Sequence, residues 1–122
     1  MPSSDRLRAV VQRYVDLLAQ GTAADIAGLY AEHATVEDPV GGEPKVGRAA
    51  IREFYERATA MDNTTELLAV RVAGNEAAAH FRVVSVSGDT TYRSAPIDTF
   101  VFDDARIVTM RAYWGPEDFE VS

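Results

Sequence analysis

An α+β fold is what the order of patterns along this chain predicts. Apolar residues recur three and four apart through the first half, strand-like runs fill the second half, and the breaks between those runs are only a few residues long. Helices first and strands afterwards separate the two kinds of element. Short connections make successive strands pair antiparallel, as a meander with the helices packed on one face. A chain of 122 residues that is 47% hydrophobic, with no internal repeat, fits one domain over 1–122 that buries roughly two thirds of its unfolded surface.

Each element has its own signal. From Ser4 to Gln20, Leu7, Val10, Val11, Tyr14, Leu17 and Leu18 form one stripe, with Ser3 or Ser4 as cap and Gly21 as stop, so Tyr14 points inward. Thr22 caps a shorter helix with Asp25 in its first turn and Ile26, Leu29 and Tyr30 on its inner face. Thr35 to Gly41 reads as a short strand that Pro39 interrupts. After the loop Gly41-Gly42-Glu43-Pro44, a third helix from about Arg48 to Ala60 buries Ile51, Phe54, Tyr55 and Ala58. Strands follow over Glu66 to Ala73, Glu76 to Ser87, Thr91 to Phe102 and Arg106 to Trp114, with turns at Gly74-Asn75, Gly88-Asp89 and Asp103-Asp104.

Composition removes several function classes. A net charge of −7 opposes docking on phosphate backbones or anionic lipid, so neither nucleic acid nor a membrane surface is an expected partner. The absence of cysteine rules out disulfides, thiolate catalysis and Cys-ligated metal. Met-Pro-Ser-Ser-Asp-Arg lacks the pattern of a signal peptide, and no run reaches membrane-spanning length, so a cytoplasmic protein is expected.

Two carboxylates carry the functional expectation. Strand alternation places Val36 and Asp38 on one side and Thr35 and Glu37 on the other; the valine side is the core, so Asp38 faces inward and Pro39 leaves it at a cavity rim. Asp98 shares a face with Phe100 and Phe102, where burial without a cation raises its pKa and leaves it protonated, able to donate a hydrogen bond. Register decides whether a cation is present. A three-residue loop Asp103-Asp104-Ala105 sets Asp98 opposite Met110, whereas a two-residue loop Asp104-Ala105 sets it opposite Arg111 as an ion pair. The first is favoured because two-residue hairpins prefer Asn-Gly or a similar pair.

Tyr14, the run Ala34-Thr35-Val36-Glu37-Asp38-Pro39, Ile97-Asp98 and the ending Thr109-Met110-Arg111-Ala112-Tyr113-Trp114 together resemble the Δ5-3-ketosteroid isomerase family. Leu29-Tyr30-Ala31, Gly47-Arg48 and Phe54-Tyr55 extend the likeness over nearly the whole chain. The resemblance implies a cone-shaped fold shared with nuclear transport factor 2, in which a curved sheet and helices enclose an apolar pocket. It implies Asp38 as general base and Tyr14 with a protonated Asp98 as oxyanion hole, the known pattern of that enzyme family. It further implies a hydrogen-bonded chain through Tyr30 and Tyr55, a steroid site lined by Phe54, Phe81, Val83, Met110 and Trp114, and a homodimer. The reaction only relocates a proton, so no cofactor or metal is implied.

Other readings stay in view. His33, Glu37 and Asp38 make a poor metal site, because the two acids point to opposite faces. His80 and the loop Gly42 to Val46 depart from the familiar family members and put polar groups near the expected pocket mouth. A polyketide-cyclase-like or epoxide-hydrolase-like enzyme on the same scaffold, or a non-catalytic binding module, are the alternatives.

Overall fold

The computed structural model describes residues 2–122. Helix α1 (Ser4–Gln20) starts where Ser3 accepts the Arg6 N–H and ends at Gly21, and it buries Leu7, Val11, Tyr14, Val15 and Leu17. Helix α2 (Ala23–Ala27) opens on a capping box in which Thr22 and Asp25 exchange hydrogen bonds. Helix α3 (Arg48–Ala58) buries Ile51 and Tyr55, while Phe54 and Ala58 are half-buried. It stops two residues short of the expected Ala60.

Eight strands form one sheet: β1 (Tyr30–Glu37), β2 (Lys45–Val46), β3 (Asp62–Ala73), β4 (Glu76–Ser87), β5 (Thr90–Ser94), β6 (Ile97–Asp103), β7 (Arg106–Tyr113) and β8 (Glu120–Val121). The order is β2-β1-β7-β6-β4-β5-β8, with β3 on the other edge of β4. All pairings are antiparallel except that of β1 with β7. Helix α1 packs on β3 and β4, and α3 packs on β1 and α2. Among the described residues no helix is long and apolar enough to cross a membrane.

Besides the end of α3, and the first strand, which runs Tyr30–Glu37 and not Thr35 to Gly41, four sequence expectations need correction. Tyr30 is not on α2; that helix ends at Ala27, and Tyr30 is the first, fully buried residue of β1. The expected strand Thr91 to Phe102 is two strands, because Pro96 has no N–H to give. Both keep one register on β4, with Ser94 opposite Val83 and Ile97 opposite His80. The third strand begins earlier than expected, at Asp62, which brings Asn63 and Thr65 into the sheet.

The fourth correction concerns Asp98. The β6–β7 turn is the two-residue one, since Asp103 pairs with Arg106, and Asp104 takes φ 56° to close it. A bulge then inserts Val108, so that Phe102 pairs with Ile107 but Val101 with Thr109. The extra residue shifts everything beyond it, and Asp98 lands opposite Ala112, neither Met110 nor Arg111. The bulge also lets Ile107 and Met110, an odd and an even position, both face the core.

Candidate active site

Helix α1 and the inner face of the sheet enclose a cavity of about 330 Å³, within the range of small-molecule sites. Its wall includes Tyr14 from α1, Phe54 and Tyr55 from α3, Phe81 and Val83 from β4, Asp98 from β6, and Asp38 and Trp114 from the ends of β1 and β7. The lining is predominantly apolar, so the few polar groups in it are conspicuous.

Asp98 is 1% exposed, and its Oδ1 has no hydrogen-bond partner among the described residues. Its cross-strand neighbours on β4 and β7 are Ala79 and Ala112, which leave room beside the carboxyl and offer no side-chain donor. Burial is the first cause that raises its pKa well above the usual carboxylate range, and the charge of Asp38 adds to it. The cation that could have reversed this is engaged elsewhere. Arg111 lies on the outer face opposite Thr99, and its Nε donates to Glu37 Oε1 at 2.9 Å from the parallel neighbour β1. Glu37, as alternation required, points away from the cavity.

Asp38 follows the last residue of β1 and precedes Pro39, to which it is joined by a cis peptide. It is only partly buried, and Trp114 Nε1 donates to its Oδ1 at 2.6 Å. Burial raises its pKa above the usual carboxylate value, and the indole hydrogen bond, which favours the charged form, opposes the rise. The two acids in this cavity thus have unequal environments. One keeps a donor and an opening to solvent; the other has neither.

Tyr14, Tyr55 and Tyr30 form a buried chain, with hydroxyl separations of 2.9 Å for Tyr14 to Tyr55 and 2.6 Å for Tyr30 to Tyr55. Burial raises the pKa of all three well above the ordinary phenol value, so all keep their protons. When Tyr30 donates to Tyr55 and Tyr55 to Tyr14, the one unspent proton is that of Tyr14, which shares the cavity wall with Asp98 and Tyr55. Edge-to-face contacts with Phe100 at 5.3 Å and Tyr55 at 6.0 Å fix the Tyr14 ring.

Of the residues expected to line a ligand site, Phe54, Phe81, Val83 and Trp114 do so. Met110 does not. It is fully buried opposite Phe100, inside the core and off the cavity wall. His80 and the loop Gly42 to Val46 are also away from the wall, with His80 on the outer face beside Ile97. Sequence reasoning missed Asn63, Ser85 and Ser94 in the wall, and Phe119, whose ring meets Trp114 at 5.1 Å. Alternation along β4 from Phe81 and Val83 would have found Ser85, and alternation back from Asp98 would have found Ser94. No pattern announces Phe119, which follows the last predicted strand.

Comparison with known proteins identifies the family and the fold. A SnoaL-like domain model matches residues 11–110. The chain is 48% identical over 120 residues to the steroid Delta-isomerase of Nocardioides simplex, an alignment that covers 98% of each chain. Among solved structures, the epoxide hydrolase/cyclase-like enzyme SalBIII, studied for pyran ring formation in the polyether salinomycin, superposes with a TM-score of 0.92 and 26% identity over the whole of both chains. With a family match across most of its length and a full-length relative at that identity, the chain belongs to the SnoaL-like family, on the nuclear transport factor 2-like fold, as a relative of steroid Delta-isomerase.

Proposed function

We propose that this protein is a steroid Δ-isomerase that moves the double bond of a 3-keto-Δ5 steroid to Δ4. The observation that carries the reading is the buried, unpartnered oxygen of Asp98 in the same cavity wall as Tyr14 and Asp38. Asp38, ionised, takes the proton from carbon 4. Electrons move into the carbonyl, and the dienolate oxygen accepts hydrogen bonds from Tyr14 and from the protonated Asp98. Asp38 then returns its proton to carbon 6 and is regenerated. Donors fixed in an apolar wall need no reorganisation as the oxyanion forms, which is why such a site lowers the barrier. Tyr30 and Tyr55 act through Tyr14: each hydroxyl that donates to the next makes the terminal proton a better donor.

A direct test mixes the protein with 5-androstene-3,17-dione and follows the ultraviolet absorbance of the conjugated enone. Absorbance should rise well above the buffer rate; folded protein that leaves the buffer rate unchanged contradicts the proposal. Trp114 provides a second expectation. Trp114→Phe removes the indole donor from Asp38, so the carboxyl pKa rises and the acidic limb of the kcat/KM profile moves to higher pH. A profile with an unmoved acidic limb counts against Asp38 as the base.

The fold shared with SalBIII supports a second reading, an enzyme that opens an epoxide or closes a ring, since Asp98 could protonate an epoxide oxygen while Asp38 activates a hydroxyl. Epoxide hydrolysis, however, needs an arginine or asparagine to hold a water. Among the described residues the wall has no arginine, and its one asparagine, Asn63, spends both amide protons on the Leu18 and Ala58 carbonyls. We further propose a homodimer, supported by the exposed Ile97 and Tyr113 on the outer face of β6 and β7. Sedimentation at the mass of one chain would contradict it.

A further inference from the structure

The cavity has a second polar region, remote from Asp98. Alternation on β4 turns Phe81, Val83 and Ser85 to the same wall, and Ser85 is the cross-strand partner of Asn63 on β3. From Ala79, the neighbour of Asp98, to Ser85 is about 20 Å along the strand, and less across the curve of the sheet. That is on the order of a four-ring ligand with a hydrogen bond at each end.

The polarity of this region is fixed by its network. Asn63 Nδ2 donates to the Leu18 carbonyl at 3.0 Å and to the Ala58 carbonyl at 2.8 Å, near the ends of α1 and α3. Two carbonyls around one atom require the amide nitrogen there, so the flipped amide is excluded and Oδ1 faces the sheet. Oδ1 can only accept. Ser85 Oγ therefore donates its single proton to Asn63 Oδ1, at 2.7 Å. What Ser85 has left is lone pairs alone, and the residue is 8% exposed. Ser94, opposite Val83 and on the same wall, makes no side-chain hydrogen bond among the described residues, so its hydroxyl is available to donate or accept.

We propose that Ser85, held by Asn63, is a specificity residue: it accepts a hydrogen bond from a hydroxyl on the distal ring of the ligand and disfavours a ketone at that position. This rests on the steroid reading above and names the preferred substrate class within it, 3-keto-Δ5 steroids with a distal alcohol. A ketone brings lone pairs against lone pairs at Ser85 and leaves the Ser85 acceptor unsatisfied even when Ser94 donates to it; an alcohol supplies the missing proton. Ser94 serves either group and contributes affinity without discrimination.

The test compares binding of 17β-estradiol and estrone, phenols that differ only in a distal hydroxyl or ketone, to the wild-type protein, Ser85→Ala, Ser85→Thr and Ser94→Ala. The expected result is that wild type and Ser85→Thr bind estradiol about three- to tenfold more tightly than estrone, the range of one hydrogen bond. In Ser85→Ala the ratio should fall toward one, and in Ser94→Ala both affinities should drop with the ratio kept. Because the readout is a ratio between two ligands on one sample, it is unaffected by any stability that Ser85→Ala loses. The proposal is overturned by an equal ratio in wild type and Ser85→Ala, by a ratio that depends on Ser94, or by failure of both phenols to bind. Turnover of 5-androstene-3,17-dione is read separately: a preference that depends on Ser85 without turnover refutes the isomerase reading and leaves the subsite standing.

Discussion

Asp38→Asn should lower the isomerisation rate about 10²–10⁴-fold, the worth of a positioned base. The amide preserves shape and can still meet Trp114, so the fold and the cavity remain, but it cannot take a proton from carbon at neutral pH. The loss should therefore appear in kcat, with ligand binding nearly intact. In the wild type, activity should fall as pH drops through the raised pKa of Asp38, because only the ionised form is a base. The variant should show no such limb. Steady-state kinetics on the dione, with binding of a phenolic steroid as control, measure both.

Asp98→Leu should lower kcat about 10²–10³-fold, the usual cost of one oxyanion donor, with a much smaller change in affinity. Leucine fits the apolar surroundings made by Ala79, Ala112 and Phe100, so the protein should remain folded. Stability offers an independent reading of the same carboxyl. The folded state holds the proton of Asp98 while the unfolded chain releases it above about pH 4. The folded state then binds more protons, so stability falls as pH rises above that value, until the folded carboxyl itself ionises. Asp98→Asn removes this penalty. It should melt higher than the wild type at pH 7 and no higher at pH 3, as thermal unfolding at the two pH values would reveal.

The inward direction of both acids was legible from strand alternation, because a period of two holds regardless of which strand lies alongside. Partner choice was not. The neutral surroundings of Asp98 were expected from a three-residue loop, whereas the chain uses the two-residue loop and recovers an apolar partner through the bulge at Val108. Ile107-Val108-Thr109-Met110 has strand propensity at every position, so nothing in it marks the inserted residue. The parallel pairing that gives Arg111 to Glu37 joins segments far apart in the chain, beyond the reach of any local pattern. The bounds of α1 were readable because Ser3 and Gly21 are themselves the stops. Tyr30 was misplaced because an apolar residue after Ile26 and Leu29 continues a helical spacing; the turn after Ala27 turns it into a strand residue. The polar region at Asn63 was hidden by a strand start placed too late, since the run Asp62-Asn63-Thr64-Thr65 looks like a loop until its alternating burial is seen.

The proposed mechanism requires two carboxylates of one cavity to hold opposite protonation states at neutral pH, ionised at Asp38 and neutral at Asp98. Carbon-13 NMR of the aspartate side-chain carboxyls tests it most directly, with the two signals assigned from Asp38→Asn and Asp98→Asn. The Asp98 signal should have the shift of a neutral acid at pH 7, and that of Asp38 the shift of a carboxylate. An Asp98 signal that titrates with the exposed aspartates near pH 4, or an Asp38 signal that is neutral at pH 7, would contradict it.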